Sequence, residues 1–321
     1  CAAYGREHPD WWKKFCLRAP QVLQQRAHAN SLPSRAVREL LAQALYRARQ
    51  ARADLLPSVD LSVSTSRRGS AIPGGYQKTD AFSGTVQASY ELDIWGANWE
   101  SAEAAAHRFI AGLNAWRAAG LSLESEVALT YFSYLAAREN LAVYDAILVN
   151  AREVLNYQQT REKYGAAAPL DVARQKSSVS SMEAGRISYL VKMTEAKNSL
   201  CQLIGVPELP GGVAALVDAE KIADLLPPAI GPGLPASLLL RRPDIAQAEA
   251  NLKAANADIG VARAAFLPGI TLSASAGWQS DSLSSLISPV SALYSIAASL
   301  LQPVFRNGQL LNQYRETLAA N

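Results

Sequence analysis

Residues 51–64 read ARADLLPSVDLSVS, and 211 positions later residues 262–275 read ARAAFLPGITLSAS. Arg52/Arg263, Leu56/Leu267, Pro57/Pro268, Leu61/Leu272 and Ser62/Ser273 are identical pairs. Each stretch joins two patterns. Up to the proline it is built from Ala, Arg and Leu, strong helix formers, and the proline stops the helix. Beyond the proline it alternates: Val59, Leu61, Val63 and Thr65 against Asp60, Ser62, Ser64 and Ser66 in the first copy. In the second copy Ile270, Leu272, Ala274, Ala276 and Trp278 fall on one side. A period of two is the signature of a strand with unlike faces. A period this large means a duplicated half-molecule rather than a short-repeat solenoid.

Working outward, the first copy predicts a strand over 58–66, turn chemistry over 67–80 with Gly69, Pro73, Gly74 and Gly75, and a second strand over 82–94. After Gly96 no proline occurs before Pro169, and residues 97–164 read as one helix. At about 1.5 Å per residue it would be roughly 100 Å long, which suits a coiled coil or helical tube. Leu141, Tyr144, Leu148, Ala151 and Leu155 recur at heptad spacing within it. Gly165 and Pro169 mark a turn, and 171–204 read as a returning helix ended by Gly205. The second copy predicts a helix over 243–265, strands over 269–279 and 291–302, and the start of another helix after Gly308. The expected organisation is therefore an irregular N-terminal segment, 1–32, and a first repeat, 33–209, preceding a Pro/Gly-rich connection, 210–235, and a second repeat, 236–321.

Composition excludes several classes. Apolar residues make up 49% and charged residues 18%, too apolar for disorder, and a net charge of +3 without a basic run is no nucleic-acid footprint. Cys1, Cys16 and Cys201 give neither a disulfide framework nor zinc-ligand spacing. His8, His28 and His107 are far apart and read as surface residues, and acidic pairs such as Glu124/Glu126 read as solvated helix faces. No catalytic or metal-binding constellation and no cofactor motif is legible, so an enzyme is not expected. Ser282 to Phe305 is uncharged and long enough to span a bilayer, but seven serines, Pro289, Pro303 and its alternation reject a membrane helix. Alternating strands with one apolar and one Ser/Thr face suit a barrel wall between lipid and water.

The segment from Leu238 to Leu272, LLLRRPDIAQAEANLKAANADIGVARAAFLPGITL, resembles the signature of the outer-membrane efflux protein family, the TolC-like channels, in its NodT/OprM-like lipoprotein branch. Arg241, Arg242, Pro243, Asp244, Ile245, Glu249, Ile259, Gly260, Ala262 and Pro268 carry the match. PDWWKKF (Pro9 to Phe15), YELDIWG (Tyr90 to Gly96) and REKYGAAAPLDVA (Arg161 to Ala173) resemble further family elements, so the likeness covers essentially the whole chain.

The resemblance implies an α+β membrane protein. Three protomers would join their transmembrane strands into one twelve-stranded outer-membrane barrel, continued by very long periplasmic helices. It implies a passive duct of a tripartite efflux pump, working with a periplasmic adaptor protein and an inner-membrane RND transporter. Arg161, Gly165, Leu170 and Asp171 would form the adaptor-docking tip, and Cys1 would be the acylated anchor in outer-membrane lipid. The family continues for another pair of long helices after its fourth strand, whereas this sequence stops at Asn321, so the gate residues carried there have no counterpart to assign. A protein-secretion channel and a periplasmic scaffold that never inserts are the competing expectations.

Overall fold

The computed structural model describes residues 18–219, 221–222, 239 and 241–321. Cys1, the Trp11–Trp12 pair and Cys16 lie outside the described residues, as does most of 220–240. Two helices, α1 (Arg18–Asn30) and α2 (Leu32–Ala53), precede a hairpin of β1 (Ser58–Ile72) and β2 (Gly75–Leu92). The 67-residue helix α3 (Ala97–Lys163) is followed by α4 (Pro169–Leu203) and α5 (Gly211–Ala219). Then come α6 (Pro243–Ala264), β3 (Gly269–Ser280), β4 (Ala292–Leu301) and α7 (Gln309–Ala320). The order helix, strand, strand, helix thus occurs twice. The chain divides into two compact units, one of residues 1–39 and 116–238 and the other of residues 40–115 and 239–321. The strands of both halves pair in one sheet of order β1-β2-β3-β4.

The helical unit is built on a small core. Ala19, Leu23 and Ala27 of α1 are buried together with Leu123, Val127, Tyr131 and Leu135 of α3, Leu200 and Cys201 of α4, and Val213 and Val217 of α5. Two expectations are corrected here. The segment 1–32 is helical from Arg18, because Ala19, Leu23 and Ala27 make an apolar stripe of period four that polar neighbours disguise. The connection 210–235 contains α5, whose Val213 and Val217 are likewise one turn apart and buried. Cys201 is a core residue, and burial pushes its thiol up from the ordinary value. Further along, Leu148 and Ala151 of α3 are buried against Val179 of α4, with Leu155 and Met182 at the margin. The heptad positions are therefore the seam between the two long helices. The Tyr144 ring packs against that of Tyr189 at a tilt of 40° with centroids 4.7 Å apart, and Arg186 reaches Asp145 and holds its carboxyl below the usual range.

The C-terminal ends of α3 and α4 close in the same way. At the end of α4, Val206 N–H bonds to the Cys201 carbonyl at 3.0 Å and Gly205 N–H to that of Gln202 at 3.1 Å, with Gly205 at φ +68°. A Cβ on Gly205 would meet the Asn30 carbonyl oxygen at 2.6 Å, so the end of α1 passes directly over this turn. Gly205→Ala combines an unfavourable φ with a backbone clash, and is expected to destabilise this unit by about 2–4 kcal/mol. A thermal-melt shift no larger than that of a surface Ala substitution would refute the close approach.

The pair His28 and Glu124 corrects another reading. Glu124 is buried, not a solvated face, and its Oε1 lies 2.8 Å from His28 Nε2. The helix face carrying Glu124 is covered by α1, which the sequence pattern did not reveal. Glu126, two residues on, is exposed.

A two-faced sheet and an exposed helix turn

β1 and β2 are longer than the alternation suggested. The stretch 67–80 is not a loop: β1 and β2 stay in register from Ser58↔Ser89 to Ile72↔Gly75. Only Pro73 and Gly74 make the reversal, with Gly74 at φ +96°, as a Pro-Gly type II turn requires. Charged residues hid the strand. Arg67 stands opposite Asp80 and donates two hydrogen bonds to its carboxylate, at 2.5 and 2.7 Å.

Register sorts every side chain in the sheet. Residues paired directly across strands share a face. One face carries the rows Val59–Ala88–Ala274–Ile296, Leu61–Val86–Ala276–Tyr294 and Val63–Gly84–Trp278–Ala292, with Tyr90, Leu272 and Ala298 below them. The other carries Ser58–Ser89–Ser273–Ala297, Asp60–Gln87–Ser275–Ser295 and Ser62–Thr85–Gly277–Leu293, with Ser64 bonded to Ser83 at 2.7 Å. The apolar face is not a core: Leu61 is 74% and Ile296 82% exposed in the single chain. From Leu92 to Phe82 it is unbroken along β2, and the next residue on that face, Asp80, is neutralised by Arg67. Those ten steps span about 34 Å along the strand, or roughly 24–28 Å at a tilt of 35–45°, the height of a barrel's lipid-facing band. Among the described residues no helix is long and apolar enough to cross a membrane, which says nothing of a barrel.

At the helical end, the sheet is tied down by the residues that resembled family elements. Asp93 accepts hydrogen bonds from Asn98 N–H at 3.0 Å and Trp99 N–H at 2.8 Å, satisfying free donors at the start of α3. Trp95 Nε1 donates to the Pro268 carbonyl at 2.8 Å, so the exit of β2 is bound to the entry of β3. Pro243 opens α6 after Arg242, which makes a forked pair with Asp244 at 3.1 and 2.6 Å and holds that carboxyl below its usual range. Glu249 pairs with Lys253 one turn on. Gly260 lies against α3, where a Cβ would come within 2.8 Å of the Glu100 side chain. The structure thus gives Arg242, Pro243, Asp244, Glu249, Gly260 and Pro268 helix-start, helix-surface and packing roles. Arg241 is exposed and makes no described contact.

The turn between α3 and α4 brings the other expected site residues together. Ala166 N–H bonds to the Arg161 carbonyl at 2.8 Å and Gly165 N–H to that of Glu162 at 2.9 Å, with Gly165 at φ +73°. The Arg161 guanidinium donates to the Ala166 carbonyl at 2.8 Å and lies over the Tyr157 ring, so it fastens the turn. Asp171 sits in the first turn of α4, where a negative charge suits the helix dipole. Leu170 is 58% exposed, and so is Tyr164 at 84%, a residue the sequence gave no reason to single out. No group of three or more His, Cys, Asp or Glu that could hold a metal occurs among the described residues.

The comparisons agree with this geometry. The family model described as outer membrane efflux protein matches residues 23–206 and 234–321. The pyoverdine export outer membrane protein OpmQ of Pseudomonas aeruginosa is 37% identical over 319 residues, covering 96% of this chain and 66% of that protein. The chain therefore spans just under two thirds of that relative's length. A membrane protein crystal structure from Pseudomonas aeruginosa superposes with a TM-score of 0.85 at 29% identity, covering 98% of this chain and 72% of that one. The structure of CusC, described with its transmembrane channel formation, superposes with a TM-score of 0.83 at 26% identity over 98% of this chain and 72% of the other. An α-helical protein with a small, two-faced sheet, this chain belongs to the outer membrane efflux protein family.

Proposed function

We propose that the protein is the outer-membrane duct of a tripartite efflux pump, exporting small toxic compounds or small secreted metabolites across the outer membrane. The carrying observation is the register of the four-stranded sheet, which divides an apolar face from a hydroxyl- and amide-rich face. In hydrocarbon every backbone polar group must be paired, and β1 and β4 each leave one edge open. Four strands cannot close on themselves, since about eight is the smallest membrane barrel. A second and a third copy supply the missing edges, giving twelve strands with apolar residues toward lipid and Ser, Thr and Gln toward the lumen. The long α3 and α4 then continue the wall into the periplasm, as an internal repeat of strand pair and helices. Their turn, with Gly165 at its apex and Arg161, Leu170 and Asp171 around it, meets a periplasmic adaptor joined to an inner-membrane RND transporter. Export of pyoverdine by the relative suits such a conduit, in which the transporter selects the cargo and the duct passes it.

Chemical cross-linking of the full-length protein in native membranes is expected to yield a trimer as its largest discrete species. Restoration of resistance to toxic compounds in a strain lacking its own channel completes the test. Monomers and dimers alone would overturn the closed barrel, and a trimer that restores no export would overturn the efflux assignment.

A further inference from the structure

The charged residues of the sheet are distributed unequally between its two faces. On the apolar face, Arg67 and Asp80 neutralise each other, and Lys78 stands two residues beyond Asp80 toward the hairpin. On the hydroxyl face, Asp60, Glu91 and Arg68 are exposed and have no hydrogen-bonded or ionic partner among the described residues. Their order along the strands is fixed by register. Glu91 stands opposite Thr271, near the helical end, Asp60 stands opposite Gln87, and Arg68 stands opposite Thr79, toward the hairpin. The rows between Asp60 and Arg68 hold uncharged groups, with Ser62 opposite Thr85, Ser64 opposite Ser83 and Ser66 opposite Ala81. β3 and β4 contribute no charged residue to this face.

We propose that Asp60 and Glu91 make the helical end of the duct cation-preferring, and that Arg68 opposes them at the hairpin end. The inference rests on the trimeric barrel reading and adds which solutes its wall favours: cations and cationic small molecules on entry from the helical side. Twelve strands spaced about 4.8 Å apart and tilted about 40° have a radius of about 12 Å at the backbone. Carboxylates reaching inward lie about 8–9 Å from the axis, within the Debye length of about 10 Å at 0.1 M salt. Three copies therefore place six carboxylates where their fields overlap across the lumen, and the surrounding low-dielectric wall strengthens that field. Among the strand residues of this face, three guanidinium groups at the hairpin end stand against six carboxylates at the helical end, so the acidic end carries the larger charge. An unpaired acid on the lipid face would be expelled, whereas on this face it costs little and acts on whatever passes.

The test uses the full-length trimer in planar lipid bilayers, with reversal potentials measured in a potassium chloride gradient near 0.1 M. The wild type is expected to favour K⁺ over Cl⁻ by roughly three- to tenfold. Asp60→Asn with Glu91→Gln is expected to bring the ratio to within about twofold of unity, and Arg68→Ala to raise it above the wild type. All three side chains are exposed and unpaired, so trimer yield and single-channel conductance serve as controls for folding. A ratio unmoved by the double substitution, or an anion-preferring wild type, would overturn the proposal while leaving the channel intact. A correctly assembled trimer that conducts no ions would overturn the channel reading, and this inference with it.

Discussion

Gly165→Trp in the full-length protein is expected to abolish efflux, lowering resistance to that of a strain with no channel, while trimer assembly and membrane insertion stay normal. The expectation comes from the kind of constraint acting at this turn. A Cβ added to Gly165 meets nothing within 4 Å, so an indole has room to project into solvent. The cost to folding is confined to the left-handed backbone at φ +73°, about 1–2 kcal/mol for a side-chain-bearing residue. The remaining fastenings are untouched, since the hydrogen bonds from Ala166 to Arg161 and from the Arg161 guanidinium to Ala166 use backbone carbonyls. Docking is affected far more. Tyr164, Leu170 and Gly165 form an exposed surface at the apex, and a bulky side chain at its centre would hold a partner several ångströms away. Gly165→Ala separates the two effects: it carries a similar backbone strain with almost no bulk, and should retain most of the efflux. Loss of the trimer in both variants would make the turn a folding element only, and normal resistance with Trp in place would exclude it as a contact.

How much of this was legible in the sequence depended on whether the signal was local. The strands announced themselves where apolar and hydroxyl residues alternated, as at Val59–Ser66, and vanished where charge took over. Arg67 and Asp80 look like loop residues until the register sets them opposite each other, and then they extend the hairpin to Ile72 and Gly75. The long helix α3 was legible because no proline between Gly96 and Gly165 breaks it, and its heptad positions proved to be its seam with α4. The packing around α1 was not legible. Its stripe is three small or aliphatic residues in a polar helix, and its effect on Glu124 depends on contact between residues nearly a hundred positions apart. For the turn at Gly165, the sequence gave the residues but not their division of labour. Arg161 is consumed by the local fold, whereas the neighbouring Tyr164 is free to face a partner. Among the signature residues, Gly260 gained a physical reason only from the Glu100 side chain opposite it, whereas Pro268 was already legible as a helix stop and gained only a donor to its carbonyl, the Trp95 indole.

The sidedness of the sheet permits a sharper test than any change in its composition, because adjacent residues face opposite solvents. Leu61→Arg and Ser62→Arg introduce the same charge one residue apart on β1. Leu61 stands in the row with Val86, Ala276 and Tyr294, six of the ten steps from Leu92 to Phe82 and so near the middle of the apolar band. A guanidinium there costs about 2–4 kcal/mol in a membrane barrel, and a trimer incurs that cost three times, roughly 6–12 kcal/mol in all. That is comparable with the whole stability of a typical domain. Arg at 61 has no acid beside it, unlike Arg67, whose partner Asp80 removes the penalty just beyond the band. Ser62 stands opposite Thr85 on the hydroxyl face, where water solvates a charge and surface substitutions change stability by about half a kcal/mol or less. Leu61→Arg is therefore expected to remove the heat-resistant trimer from outer-membrane fractions, and Ser62→Arg to leave it at close to the wild-type amount. Pairing should rescue the first variant in part: Leu61→Arg with Val86→Asp recreates across the same row the arrangement that Arg67 and Asp80 make naturally. Equal loss in Leu61→Arg and Ser62→Arg would show that the strand tolerates no bulk on either side. Insertion unaffected by both would mean that the apolar face never meets lipid.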